Sequence, residues 1–175
     1  AATHGLNFDG MLAALKALPP KSVAVLHACC HNPTGVDLSN EQWKAVAQVV
    51  KAGDLIPFLD IAYQGFGDGL EEDAFGIRLM AEHVEEMIIC SSCSKNFGLY
   101  RERIGACTVV ASSAASADIA NSVLLYVVRV IYSMPPAHGA ILVETILSSD
   151  ELRTQWHAEL KEMRDRINGN RQLLV

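Results

Sequence analysis

The sequence predicts an α/β fold with a mainly parallel sheet. Two observations carry this: short apolar runs alternate with amphipathic segments of helical period, and the runs are near-continuously hydrophobic, as strands covered on both faces are. A third sets the scale. The chain has 175 residues, 50% hydrophobic and 19% charged, the composition of a globular domain able to bury a core.

The elements follow in order. Asn7 is placed to cap a helix over residues 8–18, with Met11, Leu12, Leu15 and Leu18 on one face, and Pro19-Pro20 ends it. Residues 23–28 read as a buried strand, and His31-Asn32-Pro33-Thr34-Gly35 as a loop by turn chemistry. Ser39 and Gln42 form a capping box for a helix whose inner face is Trp43, Val46, Ala47 and Val50, closed by Gly53. A second strand covers 56–61, followed by a loop through Gly65, Gly67 and Gly69 and a helix over 71–82. Strands at 87–91 and 104–110 come next, then helices over 117–131, 136–147 and from Asp150 onward, the last with Ser148 and Glu151 as a capping box. In such sheets the working residues collect at the carboxyl ends of the strands. Three polar clusters stand there: 31–35, 60–65 and 91–96.

The net charge of −6, from 14 basic and 20 acidic side chains, argues against a nucleic-acid surface. The most apolar stretch, 123–132, is shorter than a bilayer span and contains Arg129. Five cysteines without regular spacing fit a reducing compartment, so the cytoplasm is expected. There is no initiator Met, and the helical pattern runs to the final residues, so the chain is expected to be a piece of a longer protein.

Lys95 lies just past a strand among Ser91, Ser92 and Ser94, with Arg103 eight residues on. Partial burial near cations lowers a lysine's pKa and frees its amine for Schiff-base chemistry. Hydroxyls and an arginine suit a phosphate monoester. Asp60 closes an apolar strand three residues before Tyr63. A buried carboxylate needs a cationic or hydrogen-bonding partner, and a protonated pyridine nitrogen is one. Asn32 offers an amide that can donate to a phenolate-type oxygen. Each feature also has an ordinary explanation: a loop lysine, a turn-capping Asp, an Asn-Pro turn.

Together, Asn32-Pro33-Thr34-Gly35, Asp60-Ile61-Ala62-Tyr63-Gln64-Gly65 and Ser92-Cys93-Ser94-Lys95-Asn96-Phe97-Gly98-Leu99-Tyr100-Arg101-Glu102-Arg103-Ile104-Gly105 closely resemble the class I pyridoxal-phosphate (PLP)-dependent aminotransferases, in the aspartate and aromatic amino-acid branch. The resemblance includes Leu70-Glu71-Glu72-Asp73 and Tyr132-Ser133-Met134-Pro135-Pro136. It implies the three-layer αβα large domain of the PLP-dependent transferase fold, incomplete here. Residues 1–149 would be part of that domain, and 150–175 the start of a long helix toward a small domain outside the chain.

The resemblance also assigns roles. Lys95 would form the Schiff base with PLP and move the proton between substrate and cofactor. Asp60 would keep the pyridine nitrogen protonated, and Tyr63 and Asn32 would bond the ring's 3-oxygen. Ser92 and Arg103, helped by Ser94, would bind the phosphate. Arg129 would reach across a homodimer interface to a dicarboxylic substrate. The implied reaction is transamination between an amino acid, aspartate or aromatic, and a 2-oxo acid. Cys93 and Met134 depart from the closest relatives, and Met134 could alter substrate fit. The resemblance further places an aromatic that stacks on the ring, and the arginine for the substrate's α-carboxylate, outside this chain.

Three other readings compete. One is a metal or redox site built from His27, Cys29, Cys30 and His31, or from Cys90 and Cys93. Against it, Cys90 with Cys93, and Cys29 with Cys30, are expected to face opposite ways. The second is a structural segment that keeps the residues without completing a site, and the third a fold-related PLP lyase or synthase.

Overall fold

The computed structural model describes residues 5–174. Its elements are α1 (Phe8–Lys16), β1 (Val23–His27), α2 (Asn40–Ala52), β2 (Ile56–Ile61), α3 (Phe75–His83), β3 (Met87–Ser92), β4 (Gly105–Val110), α4 (Ala114–Ile131), α5 (His138–Ser148) and α6 (Asp150–Leu173). The sheet has strand order β1-β2-β3-β4. The first three strands are parallel, and β4 returns antiparallel to β3. The expected mainly parallel α/β architecture is therefore present.

Local chemistry explains most boundaries. The Asn7 side chain accepts from the Gly10 N–H at 3.1 Å, and Ser39 and Gln42 cap each other reciprocally at the start of α2. Three boundaries differ from expectation. Helix α3 starts at Phe75 rather than 71, because the Asp73 carboxylate is committed to the preceding loop. Helix α4 starts three residues earlier, at Ala114, because the Ser113 hydroxyl accepts from the Ser116 N–H. Helix α6 is capped by Ser149, whose hydroxyl accepts from Leu152, and not by Ser148.

Side chains alternate across the sheet. One face presents Ala24, Leu59 and Met87 to α1, α2 and α3, forming a core with Leu15, Trp43, Val46, Val50 and Met80. Removing that much apolar surface from water is the main stabilising term. The opposite face has no such cover among the described residues: Val25 is 62% exposed. Across that open face runs an in-register row, His27, Asp60, Cys90 and Cys107. Thus the sheet and one helical layer are in place.

Helix α4 corrects the expectation of a short apolar stretch. It is 18 residues long, apolar enough in composition to cross a bilayer, and none of its residues is buried. Ile119, Val123, Tyr126 and Val130 are among its exposed side chains.

Gly76 is where α3 meets α2. A Cβ there would lie within 2.8 Å of three atoms of the Trp43 indole, a rigid group held in the core. Alanine gains about 1 kcal/mol of helix propensity over glycine, but overpacking costs about 1–3 kcal/mol. Gly76→Ala is therefore expected to lower the midpoint of thermal unfolding, although the same change at an exposed helical site would raise it.

Candidate active site

The three polar clusters lie side by side because β1, β2 and β3 run parallel. Each loop is built differently. In the first, the Asp37 carboxylate accepts from the N–H groups of Cys30 (2.7 Å) and His31 (2.8 Å). His31 Nδ1 lies 2.7 Å from the Thr34 hydroxyl. The Asn32-Pro33 peptide is cis, and Gly35 takes a left-handed φ of 66° that favours glycine.

The second loop wraps around Asp73. This buried carboxylate accepts from Gly65 (2.7 Å), Gly67 (3.0 Å), Asp68 (2.9 Å) and, at 3.5 Å, Gly69. Gly65 has φ 97°, and a Cβ there would lie 2.5 Å from a Leu160 methyl.

The third loop continues the β3–β4 ladder through Cys93 N–H to the Ile104 carbonyl at 3.0 Å. The Ser94 N–H donates to the Ser92 hydroxyl at 3.1 Å. The Asn96 amide donates to the Gln64 carbonyl at 3.3 Å, tying the third loop to the second.

Helix α6 crosses all three. The Trp156 indole N–H donates to the Asn96 carbonyl (2.7 Å), Asn168 to the Gly67 carbonyl (2.9 Å), and Arg171 to the Gly35 carbonyl (3.2 Å).

On this frame the Lys95 amine lies 4.7 Å from the centroid of the Tyr63 ring, within cation–π range. Asp60 sits on the open face, between His27 and Cys90 in register. Among the described residues its carboxylate has no hydrogen-bond or ion-pair partner, nor does the Lys95 amine. Arg103, left-handed at φ 53°, uses its guanidinium on one carbonyl, that of Tyr100, at 3.0 Å. Ser92 ends β3, and Ser94 is buried. Asn32 is exposed. Arg129 stands apart on α4, donating to the Ser133 hydroxyl at 2.7 Å. Among the described residues it pairs with no acid and has no hydrogen bond to the other predicted residues.

Two cavities of about 730 and 800 Å³ do not coincide with this chemistry. The first lies between Cys29, Asp37, Asp73 and Arg171, the second between Met11, Val25 and His31. Lys95, Asp60 and Tyr63 line neither. They stand on an open sheet face, and their unmatched polar groups, rather than enclosure, mark them as a site.

The cysteines correct one expectation. The strand stops at His27, and Cys30 is left-handed at φ 50°, so Cys29 and Cys30 do not face opposite ways. Cys30 packs against Cys29, and the neighbouring Cys29 side chain holds the Cys30 thiol below its ordinary range, with Arg171 assisting. The same neighbour, with burial, pushes Cys29 up. Burial, then Cys107 and Asp60, raises Cys90 to about 11.

The architecture and the side chains gathered at the strand ends define an α/β domain with a lysine-centred polar site. The family model for aminotransferase class I and II matches residues 1–175, and the chain belongs to that family. It is 51% identical to an aspartate aminotransferase and 49% identical to an aromatic-amino-acid aminotransferase, both of Pseudomonas aeruginosa, covering 100% of this chain and 44% of each relative. A crystal structure of a Burkholderia pseudomallei aromatic-amino-acid aminotransferase covalently bound to pyridoxal phosphate is 53% identical, with TM-score 0.95 over 98% of this chain and 43% of that one. A mitochondrial aspartate aminotransferase of Trypanosoma brucei is 44% identical, with TM-score 0.96, over 99% of this chain and 46% of that one. The fold is thus that of the PLP-dependent aminotransferases, and the chain spans less than half the length of these relatives.

Sequence reasoning missed Asp37, Asp73, Asn96, Trp156, Asn168 and Arg171. Asp37 and Asp73 were detectable in principle, as carboxylates beside Gly-containing loops with many N–H groups to satisfy. The α6 donors leave no local signal, since their acceptors lie 60 to 136 residues away.

Two outcomes follow. Asp73→Asn keeps the shape but turns an NH₂ toward backbone donors, and is expected to destabilise the protein by about 2–4 kcal/mol, read from the urea midpoint. In an iodoacetamide titration followed by mass spectrometry, Cys30 should alkylate at lower pH than Cys29 or Cys90, because the thiolate is the nucleophile.

Proposed function

We propose that the full-length protein is a PLP-dependent aminotransferase that moves an amino group between an amino acid, aspartate or aromatic, and a 2-oxo acid such as 2-oxoglutarate. The observation that carries this is the Lys95 amine set 4.7 Å over the ring of Tyr63, which follows, three residues on, an Asp60 whose carboxylate has no protein partner among the described residues. That donor set fits PLP: an amine for its aldehyde, a carboxylate for its pyridinium, a phenol and an amide for its 3-oxygen, and hydroxyls with an arginine fork for its phosphate. The family and the names of the relatives support the same reading.

When bound, PLP supplies an electron sink that acidifies the α-hydrogen of an amino acid. The chain's own residues then divide the work. The Asp60 carboxylate holds a proton on the pyridine nitrogen. Tyr63, through its hydroxyl, and Asn32, through its amide, orient the ring by its 3-oxygen. Ser92, Ser94 and Arg103 anchor the phosphate. The Lys95 amine, once displaced by the substrate's amine, would take the proton from the substrate's Cα as a general base and deliver it, as a general acid, to the cofactor carbon that carried the aldehyde. Arg129 would bind a distal carboxylate in the site of a second copy.

We further propose a homodimer, with the exposed apolar side chains of α4 covered by the rest of the polypeptide and the second copy. Residues 1–149 would belong to the PLP-binding domain, with α6 leading to a small domain. Five free cysteines, Cys90 and Cys107 included although they face each other in register, fit a cytoplasmic location. The open sheet face favours a second statement: the 175-residue chain alone supplies the floor of the site and does not catalyse.

The test is to load the full-length protein with PLP, record its visible band across pH, reduce with borohydride and map the label. Lys95 should carry it, and Lys95→Ala should lower kcat by roughly ten-thousandfold. Label on another lysine, or no band, would end this reading.

A further inference from the structure

We infer that Trp156 is a positioning residue for Lys95. The reasoning starts from what holds Lys95 in place. Among the described residues its amine has the Tyr63 ring as a partner and no hydrogen bond, so its location depends on its backbone neighbours. The next residue, Asn96, is buried and carries two long-range bonds. Its carbonyl accepts from the Trp156 indole at 2.7 Å across 60 residues, and its amide donates to the Gln64 carbonyl across 32. Gln64 follows Tyr63 directly. One residue therefore links the backbone beside the amine to the backbone beside the phenol, and Trp156 fixes it from the α6 side. The indole also stacks on Phe97, with centroids 4.3 Å apart and planes 11° from parallel. Trp156 thus grips the residues at both ends of the Asn96–Phe97 peptide unit, immediately after Lys95.

The alternative is that Trp156 merely fills space. Two features speak against it. Stacking alone would need no donor, yet the N–H is spent on a carbonyl that no turn or strand claims. The Asn96 side-chain oxygen is also the one buried side-chain polar atom among the described residues without a partner. An amide with an unmet acceptor is expensive to bury, and the Trp156 and Gln64 bonds hold it there.

This inference rests on the role proposed for Lys95, and the experiment separates the two. Hydrogen exchange is measured on the cofactor-free full-length protein, so it does not depend on catalysis. Trp156→Phe keeps a ring against Phe97 and removes the donor. Amides in 93–99, where Cys93, Ser94 and Gly98 donate within the loop, should exchange about fivefold faster, the worth of one hydrogen bond. Unfolding should shift by no more than about 2 °C. Asn168→Ala, which cuts the neighbouring bond to Gly67, should leave 93–99 unchanged. In the PLP-loaded protein, Trp156→Phe should lower kcat by about fivefold with KM nearly unaltered. Unchanged exchange in Trp156→Phe, an equal rise in Asn168→Ala, or a loss confined to KM would overturn the inference. Borohydride labelling of wild-type Lys95 tests its chemical role independently.

Discussion

The site depends first on one carboxylate. Asp73 gathers the backbone N–H groups of a loop that would otherwise have no reason to close, with Gly65, Gly67 and Asp68 within 3.0 Å. Hydrogen bonds to a charged acceptor contribute about 1.5–3 kcal/mol each. Together they offset much of the cost of ordering the residues of the turn, about 1–2 kcal/mol each. The closed loop presents Gly65, with no Cβ, to Leu160 of α6, which is almost wholly buried. Loop closure is therefore what lets α6 dock, and α6 in turn reaches the loops on either side.

Helix α6 shows how one element can coordinate residues remote in sequence. Its bonds to Asn96, Gly67 and Gly35 are spaced along the helix by 12 and 3 residues, from Trp156 to Asn168 to Arg171. At 1.5 Å per residue that span is about 22 Å, enough to cross the ends of three strands spaced about 4.8 Å apart. Each bond ends on a backbone carbonyl, so α6 constrains the path of the loops and leaves the site side chains to face elsewhere.

Much of this was legible in the sequence, and the reasons differ by level. Strands β2 and β3 and helix α2 follow from local pattern: apolar runs of strand length, and a capping box closed by Gly53. The lysine, aspartate, tyrosine and arginine proposed for the site each have an ordinary explanation taken alone, and it was their joint occurrence in motifs resembling one family that singled them out. The start of α3 was not legible, since Glu71 to Asp73 read as helix formers until Asp73 is seen turned into the loop. The mutual contact of Cys29 and Cys30 was equally hidden: alternation of faces holds only inside a strand, and the strand ends two residues earlier, at His27. The bonds from α6 are long-range and leave no trace in local composition.

The distribution of satisfied polar groups separates scaffold from site. Asp37 and Asp73 are acidic like Asp60, but their oxygens are occupied by backbone donors. Arg171 and Asn168 spend their donors on loop carbonyls. Among the described residues, Asp60, the Lys95 amine, the Tyr63 hydroxyl and the Asn32 side chain have no such bonds, and most of the Arg103 fork is unused. These five share unused hydrogen-bonding capacity and belong to β2 and to the loops at one end of the sheet. Their unmet valences form a set of one base, one acid, one phenol, one amide and one guanidinium. That set is complementary to an aromatic, cationic, phosphorylated aldehyde, and the physical case for the cofactor rests on this complementarity more than on any single residue.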